Sequence, residues 1–446
     1  MTHKTLLVRP ASAPLHGEAR VPGDKSISHR VLLFGALAEG ETYATGWLSA
    51  EDCQATANVL RGLGVTITHE TPTTVRVQGV GLHGLREPEE VLDCGGSGTT
   101  MRLLSGILAG QPFTSVLSGL PALRRRPMRR IADPLRTMGA TILSRDMAGR
   151  QKAPLTIRGG GLEGIDYTMP VASAQVKSCV LLAGLFARGE TIAREPGPAR
   201  DHTERLLKAM GAPLQVDGPN ISITAPQKPL KPLQGPAGGP YQIPADPSSS
   251  AFPLVAATLV QNSEVQLTGV GTNSTRTGLW EILGRMGAEI ERSNPRGDGI
   301  EPIADLLVRG TELNGIDVGG QVVVRAIDEF PILAVAATQA AGQTTVRDAH
   351  ELRVKESDRI ASVVQELGKM GVVLDEAPDG FTVHGPARLH GAQVDSHMDH
   401  RLAMALAIAA LIADGETRIT RAEVIDDSFP HFVELMQSLG AEMEWV

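Results

Sequence analysis

Met286-Gly287-Ala288-Glu289-Ile290-Glu291 ends a helical run and opens an alternating one, and this turn decides the fold because it recurs. The same phrase stands at Leu63-Gly64-Val65, Met138-Gly139-Ala140, Met210-Gly211-Ala212, Met370-Gly371-Val372 and Leu439-Gly440-Ala441. Its spacing is roughly 70–85 residues, longer than the about 20–50 of solenoid repeats. In each copy the glycine is placed to close a helix in the left-handed region, and a short strand follows, as in Thr141-Ile142-Leu143. Each unit has a second helix, rich in Ala and Leu and poor in charge, which reads as buried on most sides. Its clearest copies run up to Gly40-Glu41-Thr42, Gly189-Glu190-Thr191, Gly342-Gln343-Thr344 and Gly415-Glu416-Thr417, with looser ones over 100–110 and 251–261. Six such units predict an α/β chain of two domains with three units in each.

A length of 446 residues also points to two cores. The Pro- and Gly-rich connector 226–240 leads into Tyr241-Gln242-Ile243-Pro244-Ala245-Asp246, the expected junction. Residues before Val21-Pro22-Gly23 precede the first repeat, so they are expected to close the second half as an added strand. The expected domains are therefore 1–20 with 245–446, and 21–244, with crossings near 20–22 and 241–246.

With 42 % hydrophobic and 21 % charged residues, the chain is globular rather than disordered. A net charge of −8 argues against nucleic acid as a partner, so anionic ligands must be met by local clusters of Lys and Arg. Cys53, Cys94 and Cys179 show neither metal-ligand nor disulfide spacing, which suits a reducing cytosol. The opening Met1-Thr2-His3-Lys4-Thr5-Leu6-Leu7-Val8 has no signal-like apolar stretch, and the apolar run 402–413 is too short to span a bilayer. A cytoplasmic protein without a membrane partner is expected.

The chemistry is read at the starts of the buried helices. These are Lys25-Ser26-Ile27-Ser28-His29-Arg30, Gly95-Gly96-Ser97-Gly98-Thr99-Thr100-Met101-Arg102 and Ser173-Ala174-Gln175-Val176-Lys177 in the first half. The second half has Asp246-Pro247-Ser248, Ile327-Asp328-Glu329-Phe330-Pro331 and Asp399-His400-Arg401. Helix N-termini expose unpaired N–H groups and a partial positive charge, so they attract phosphates and carboxylates. Capping accounts for Ser and Asp there, and leaves Ser26 and Ser173 open between cap and ligand contact. It does not account for Lys25 and Arg401, whose charge opposes the dipole unless an anion lies between. The glycine run 95–98 is neither a Walker loop nor a dinucleotide fingerprint. Two basic stretches, Arg124-Arg125-Arg126-Pro127-Met128-Arg129-Arg130 and Arg353-Val354-Lys355-Glu356-Ser357-Asp358-Arg359, read on charge alone as solvated, ion-paired surface.

Taken in order, Gly23-Asp24-Lys25-Ser26-Ile27-Ser28-His29-Arg30, Arg126-Pro127-Met128, Ser173-Ala174-Gln175-Val176-Lys177, Arg353 to Arg359 and Asp399-His400-Arg401-Leu402-Ala403-Met404 resemble the signature segments of the EPSP synthase family. Arg200-Asp201-His202-Thr203-Glu204 and Asn273-Ser274-Thr275-Arg276 resemble its class II branch. The resemblance implies two domains, each of three βαβαββ units in pseudo-threefold arrangement, in an inside-out barrel-like fold that closes on two anionic substrates. It implies transfer of the enolpyruvyl group of phosphoenolpyruvate to the 5-hydroxyl of shikimate 3-phosphate, by addition and elimination through a tetrahedral intermediate, within the shikimate pathway. Lys25, Ser26, Arg30, Ser173, Ala174, Gln175, Arg200, Asp328 and Lys355 match positions around shikimate 3-phosphate. Lys25, Gly98, Arg126, Gln175, Glu356, Arg359 and Arg401 match positions around phosphoenolpyruvate. The resemblance assigns Asp328 as base with Lys25 assisting, and Glu356 as the acid that delivers and later removes the methyl proton. It leaves Arg124, Arg125, Arg129 and Arg130 as surface, calls for no metal or organic cofactor, and implies a monomer inhibited by glyphosate.

Three positions depart from relatives. Gly96 replaces the usual Asn, Asp427 stands near where some class I members supply a lysine, and Gly98 is kept where tolerant class II members carry Ala. The rival readings are a UDP-N-acetylglucosamine carboxyvinyltransferase-like enzyme, with Cys94 as its acid, and a non-catalytic anion-binding protein of the same fold.

Overall fold

A computed structural model describes residues 3–147, 150–297 and 299–446, so Met1 and Thr2 of the opening stretch lie outside the described residues. The chain divides into two compact units. One comprises Met1–Asp24, Pro244–Gly297 and Glu301–Val446; the other comprises Lys25–Ile243 with Asp298–Ile300.

The six-fold repeat reappears in the sheets. In the Lys25–Ile243 unit the three sheets are built on Glu39–Thr45, Thr114–Ser118 and Glu190–Arg194. Each of these strands has a short parallel neighbour on one side and an antiparallel hairpin on the other. In the other unit Glu264–Gly271, Ala340–Val346 and Thr417–Thr420 occupy the same place, again with a parallel neighbour on one side and antiparallel strands on the other. Its third sheet is completed by the N-terminal strand Leu6–Val8, antiparallel to both Thr417–Thr420 and Met443–Trp445. The Gly-x-Thr phrases lie at or within the starts of these repeated strands.

All six repeat glycines adopt positive φ: 89° at Gly64, 110° at Gly139, 86° at Gly211, 106° at Gly287, 91° at Gly371 and 103° at Gly440. Each stops an outer helix and turns the chain into the next strand, a conformation that costs a residue with a Cβ. The low-charge helices are buried along nearly their whole length: Lys25–Leu37, Gly98–Ala109 and Ala174–Gly184 in one unit, Pro247–Leu259, Phe330–Thr338 and His400–Ala410 in the other. Close approach needs small residues. A Cβ on Gly106 would stand 2.2 Å from the Cys179 carbonyl oxygen, so glycine there is what lets two of these helices meet backbone to backbone. Each unit has its own apolar core. In one, Phe432 stacks edge-on against Phe252 and Phe429, with ring centroids 6.3 and 5.3 Å away. No helix among the described residues is long and apolar enough to cross a membrane.

Candidate functional site

In the Lys25–Ile243 unit the helix starts carry the polar groups. Lys25 opens its helix with no acid in the first turn, and its Nζ lies 3.2 Å from Asp52 Oδ2. A cation at that end opposes the helix dipole, so Asp52 supplies a counter-charge that the helix cannot. One turn on, the buried Arg30 donates to Thr203 Oγ1 at 2.8 Å, to the Ser26 carbonyl at 2.8 Å and to Ser178 Oγ at 2.9 Å. Arg200 Nη1 stands 3.5 Å from Ser26 Oγ.

The second helix starts at Gly98, and Ser97 caps it by accepting from Thr100 N at 3.1 Å and Thr100 Oγ1 at 2.8 Å. Gly95, at φ +56°, is held from behind by Asp93, whose Oδ1 accepts from its N–H at 2.9 Å. Gly98 faces two guanidinium groups: a Cβ there would lie 2.9 Å from Arg126 Nη1 and 3.4 Å from Arg102 Nη1. Arg102 donates to Gln175 Oε1 and, at 3.2 Å, to the Pro127 carbonyl, while Gln175 Nε2 donates to Thr99 Oγ1 at 3.0 Å. Arg102 thus links the Gly98 helix, the Arg126-Pro127 turn and the Ala174–Gly184 helix. Ser173 caps that last helix through Val176 N at 3.4 Å, so its hydroxyl has a structural use.

In the other unit one buried arginine organises the carboxylates. Arg359 is sealed from solvent and opens the helix Arg359–Lys369, capped by Asp358 through Ala361 N at 3.1 Å. Its Nε donates to Asp399 Oδ2 at 2.8 Å, its Nη2 to Glu356 Oε2 at 2.8 Å and its Nη1 to Asp328 Oδ1 at 3.2 Å. Lys355 Nζ reaches the same Asp328 oxygen at 3.1 Å, and Ser357 Oγ reaches Asp399 Oδ2 at 3.1 Å. Burial works against the charge of Arg359, but Asp399, Glu356 and Asp328 more than offset it and hold its guanidinium above its ordinary value. Burial likewise opposes the charge on Asp399, yet Arg359 keeps that carboxyl below its usual range. Asp399 also caps His400–Ala410 by accepting from Arg401 N at 3.0 Å. Arg401 Nη1 is 3.6 Å from Glu329 Oε1, a carboxylate that also accepts from Ser248 Oγ.

The residues expected at the site are therefore grouped in space within each unit. Ser26, Arg30 and Arg200 gather, and Gly98, Arg126 and Gln175 gather around Arg102. Asp328, Lys355, Glu356 and Arg359 form one cluster, with Arg401 beside Glu329. Arg124, Arg125 and Arg129 are exposed, Arg129 pairing with Asp133 at 2.8 Å. Arg353 is an ion-pairing residue, 2.9 Å from Asp358 and 2.7 Å from Glu376. Sequence reading passed over Arg102 and Asp52 and gave Asp399 only a capping role; the side-chain partners of all three are distant in the chain. The only signal for Arg102 was a cation in the first turn of a low-charge helix. Cys94 is fully buried, its thiol pushed far up by burial and by Asp93, which makes it a poor acid.

The model of the family described as EPSP synthase (3-phosphoshikimate 1-carboxyvinyltransferase) matches residues 10–436. A 3-phosphoshikimate 1-carboxyvinyltransferase of Desulforudis audaxviator is 50 % identical over 438 residues, covering 98 % of this chain and 100 % of that one. One from Synechococcus elongatus is 50 % identical over 445 residues, covering 98 % of this chain and 97 % of that one. Among solved structures, EPSP synthase of Acinetobacter baumannii superposes with a TM-score of 0.87 at 44 % identity, over 99 % of this chain and 100 % of that one. The enolpyruvyl transferase NikO of Streptomyces tendae shares the fold, with a TM-score of 0.79 at 17 % identity over 100 % of this chain and 99 % of that one. With a full-length family match and relatives at half identity, the chain belongs to the EPSP synthase family.

Proposed function

We propose that this chain transfers the enolpyruvyl group of phosphoenolpyruvate to the 5-hydroxyl of shikimate 3-phosphate and releases phosphate, a step of aromatic amino-acid biosynthesis. The observation that carries the reading is the sharing of Arg359 between Asp328 and Glu356. Addition to an enol phosphate needs a base at the attacking hydroxyl and an acid at the methylene carbon, and the two must not drift apart. One rigid guanidinium fork holding both carboxylates meets that need.

In this reading Asp328 takes the proton of the 5-hydroxyl, assisted by Lys25. Glu356 protonates the methylene carbon and removes a methyl proton when the tetrahedral intermediate collapses with loss of phosphate. Lys25, Ser26, Arg30, Ser173, Ala174, Gln175, Arg200, Asp328 and Lys355 bind shikimate 3-phosphate. Lys25, Gly98, Arg126, Gln175, Arg359 and Arg401 bind phosphoenolpyruvate and stabilise charge as it develops. The chain works as a cytoplasmic monomer, and glyphosate competes with phosphoenolpyruvate.

Supporting this reading over the cysteine-dependent aminosugar enzyme is the buried, unreactive Cys94. Against a non-catalytic binder stand Lys25, Asp328 and Glu356, all present. The test is to mix purified protein with shikimate 3-phosphate and phosphoenolpyruvate and follow phosphate release. Folded protein that releases none above background would sink the proposal.

A further inference from the structure

The helix Ala174–Gly184 carries a charge in its interior that the chemistry above does not use. Lys177 is only 1 % exposed. A lysine in that setting loses its hydration and must be repaid by partners. It has three: Glu195, Glu204 at 2.5 Å, and the Ala199 carbonyl oxygen at 3.4 Å. Both acids are themselves buried, with side chains 8 % and 5 % exposed. One ammonium shared by two buried carboxylates leaves the trio an excess of negative charge, and burial, the largest influence on Glu204, pushes its carboxyl up despite Lys177.

These partners bracket one loop. Glu195 follows the strand Glu190–Arg194, and Glu204 lies in the first turn of the helix His202–Ala209. Between them Ala199 is held at both backbone groups, since its N–H donates to Glu195 Oε2 at 3.2 Å while its carbonyl accepts from Lys177. At the far end Thr203 Oγ1 is fixed by Arg30 at 2.8 Å and by Ser178 at 2.7 Å. The residue that emerges from this clamped loop, directly after Ala199, is Arg200.

We propose that Lys177, Glu195 and Glu204 are positioning residues for Arg200, fixing loop 195–201 against the helix that carries Gln175 and so setting affinity for the phosphorylated hydroxy-acid substrate. This rests on the assignment of Arg200 to that substrate. A long arginine at the end of a loop loses side-chain and backbone freedom when it binds an anion, and a loop already pinned on either side of the arginine has less to lose.

The informative variant is E195A. It releases Ala199 N–H and one face of Lys177, yet leaves Lys177 and Glu204 as a balanced buried pair. The KM for shikimate 3-phosphate should rise about tenfold, the scale of one charge-assisted contact weakened. The KM for phosphoenolpyruvate and kcat should each change less than about threefold, the mark of lost substrate binding rather than lost transition-state contact. E195Q, which keeps the shape and one acceptor oxygen, should restore most of the affinity. Equal effects on both substrates, or no effect in a folded enzyme, would overturn the positioning role. Failure of both variants to fold would also overturn it, making the trio a stability element instead. A wild-type enzyme inactive with both substrates would instead sink the parent reading, so the two failures are distinguishable.

Discussion

Arg359 and Asp399 form an ion pair with both side chains sealed from solvent, Nε to Oδ2 at 2.8 Å. The pair joins two helix starts, because Arg359 opens one helix and Asp399 caps another. Through its other nitrogens Arg359 then fixes Glu356 and Asp328. The carboxylates assigned to the chemistry are thus oriented by Arg359, which is itself anchored by Asp399.

Asp399→Asn removes one of the three carboxylates that compensate the buried Arg359, so it should destabilise this unit, by no more than the about 3–5 kcal/mol of a fully broken buried pair. The sign with pH follows from the direction of the shift. Arg359 depresses the Asp399 carboxyl, so its contribution is present above the ordinary carboxylate range and is lost as pH falls through the folded-state value. The melting temperatures of wild type and variant should differ widely at neutral pH and converge in strong acid. A gap that does not narrow on acidification would show that Asp399 acts by shape alone.

Asp328→Asn and Glu356→Gln keep the size of each side chain and remove its ability to carry a proton. Each should lower kcat by at least about 10²-fold, the scale of general acid–base catalysis. Because Arg359 can still donate to the remaining carbonyl oxygen, folding should survive, and a thermal melt checks that. Near-full turnover in either variant would remove that residue from its assigned role.

The period of the fold was legible because it depends on local chemistry. A glycine that must turn a helix end into a strand announces itself by type and spacing, and all six do so. Lys25, Ser26 and Glu356 stand in compact motifs and were assigned to the candidate site through resemblance. Charge alone had assigned Arg126, Lys355 and Arg359 to the surface, and Arg359 instead is sealed from solvent. What stayed hidden were pairings between distant segments. Nothing in the run Val176-Lys177-Ser178 says that its lysine is buried, because its two counter-charges lie beyond the next strand. The Arg102–Gln175 contact spans 73 positions and has no local signature either.

Cys94 separates this enzyme from a mechanism with a cysteine acid. Its thiol is fully buried in the apolar core, and its one side-chain hydrogen bond among the described residues is a long one of 3.9 Å to the Leu92 carbonyl. Cys94→Ala removes one small buried atom, at a stability cost of about 1 kcal/mol. Phosphate release with shikimate 3-phosphate should stay within about threefold of wild type, since no transition-state contact is lost. Abolished turnover in folded protein would restore the cysteine as a participant.

Gly98→Ala probes the arginine cluster of the Lys25–Ile243 unit. Its methyl would stand 2.9 Å from Arg126 Nη1, too close to leave that guanidinium in place, and 3.4 Å from Arg102 Nη1, which is ordinary contact. Both are tips of flexible side chains rather than backbone, so the helix should persist and the melting temperature should change little. The displacement falls instead on whatever anion Arg126 binds. A methyl added to a well-fitted pocket is worth about 1–3 kcal/mol, or roughly 10–200-fold. The KM for phosphoenolpyruvate should rise toward the lower end of that range. The inhibition constant of glyphosate, bulkier than phosphoenolpyruvate and proposed to compete for its place, should rise by more. If neither constant moves, Gly98 does not border the phosphoenolpyruvate pocket. If both rise equally, the methyl acts by moving Arg126 and not by crowding the larger ligand.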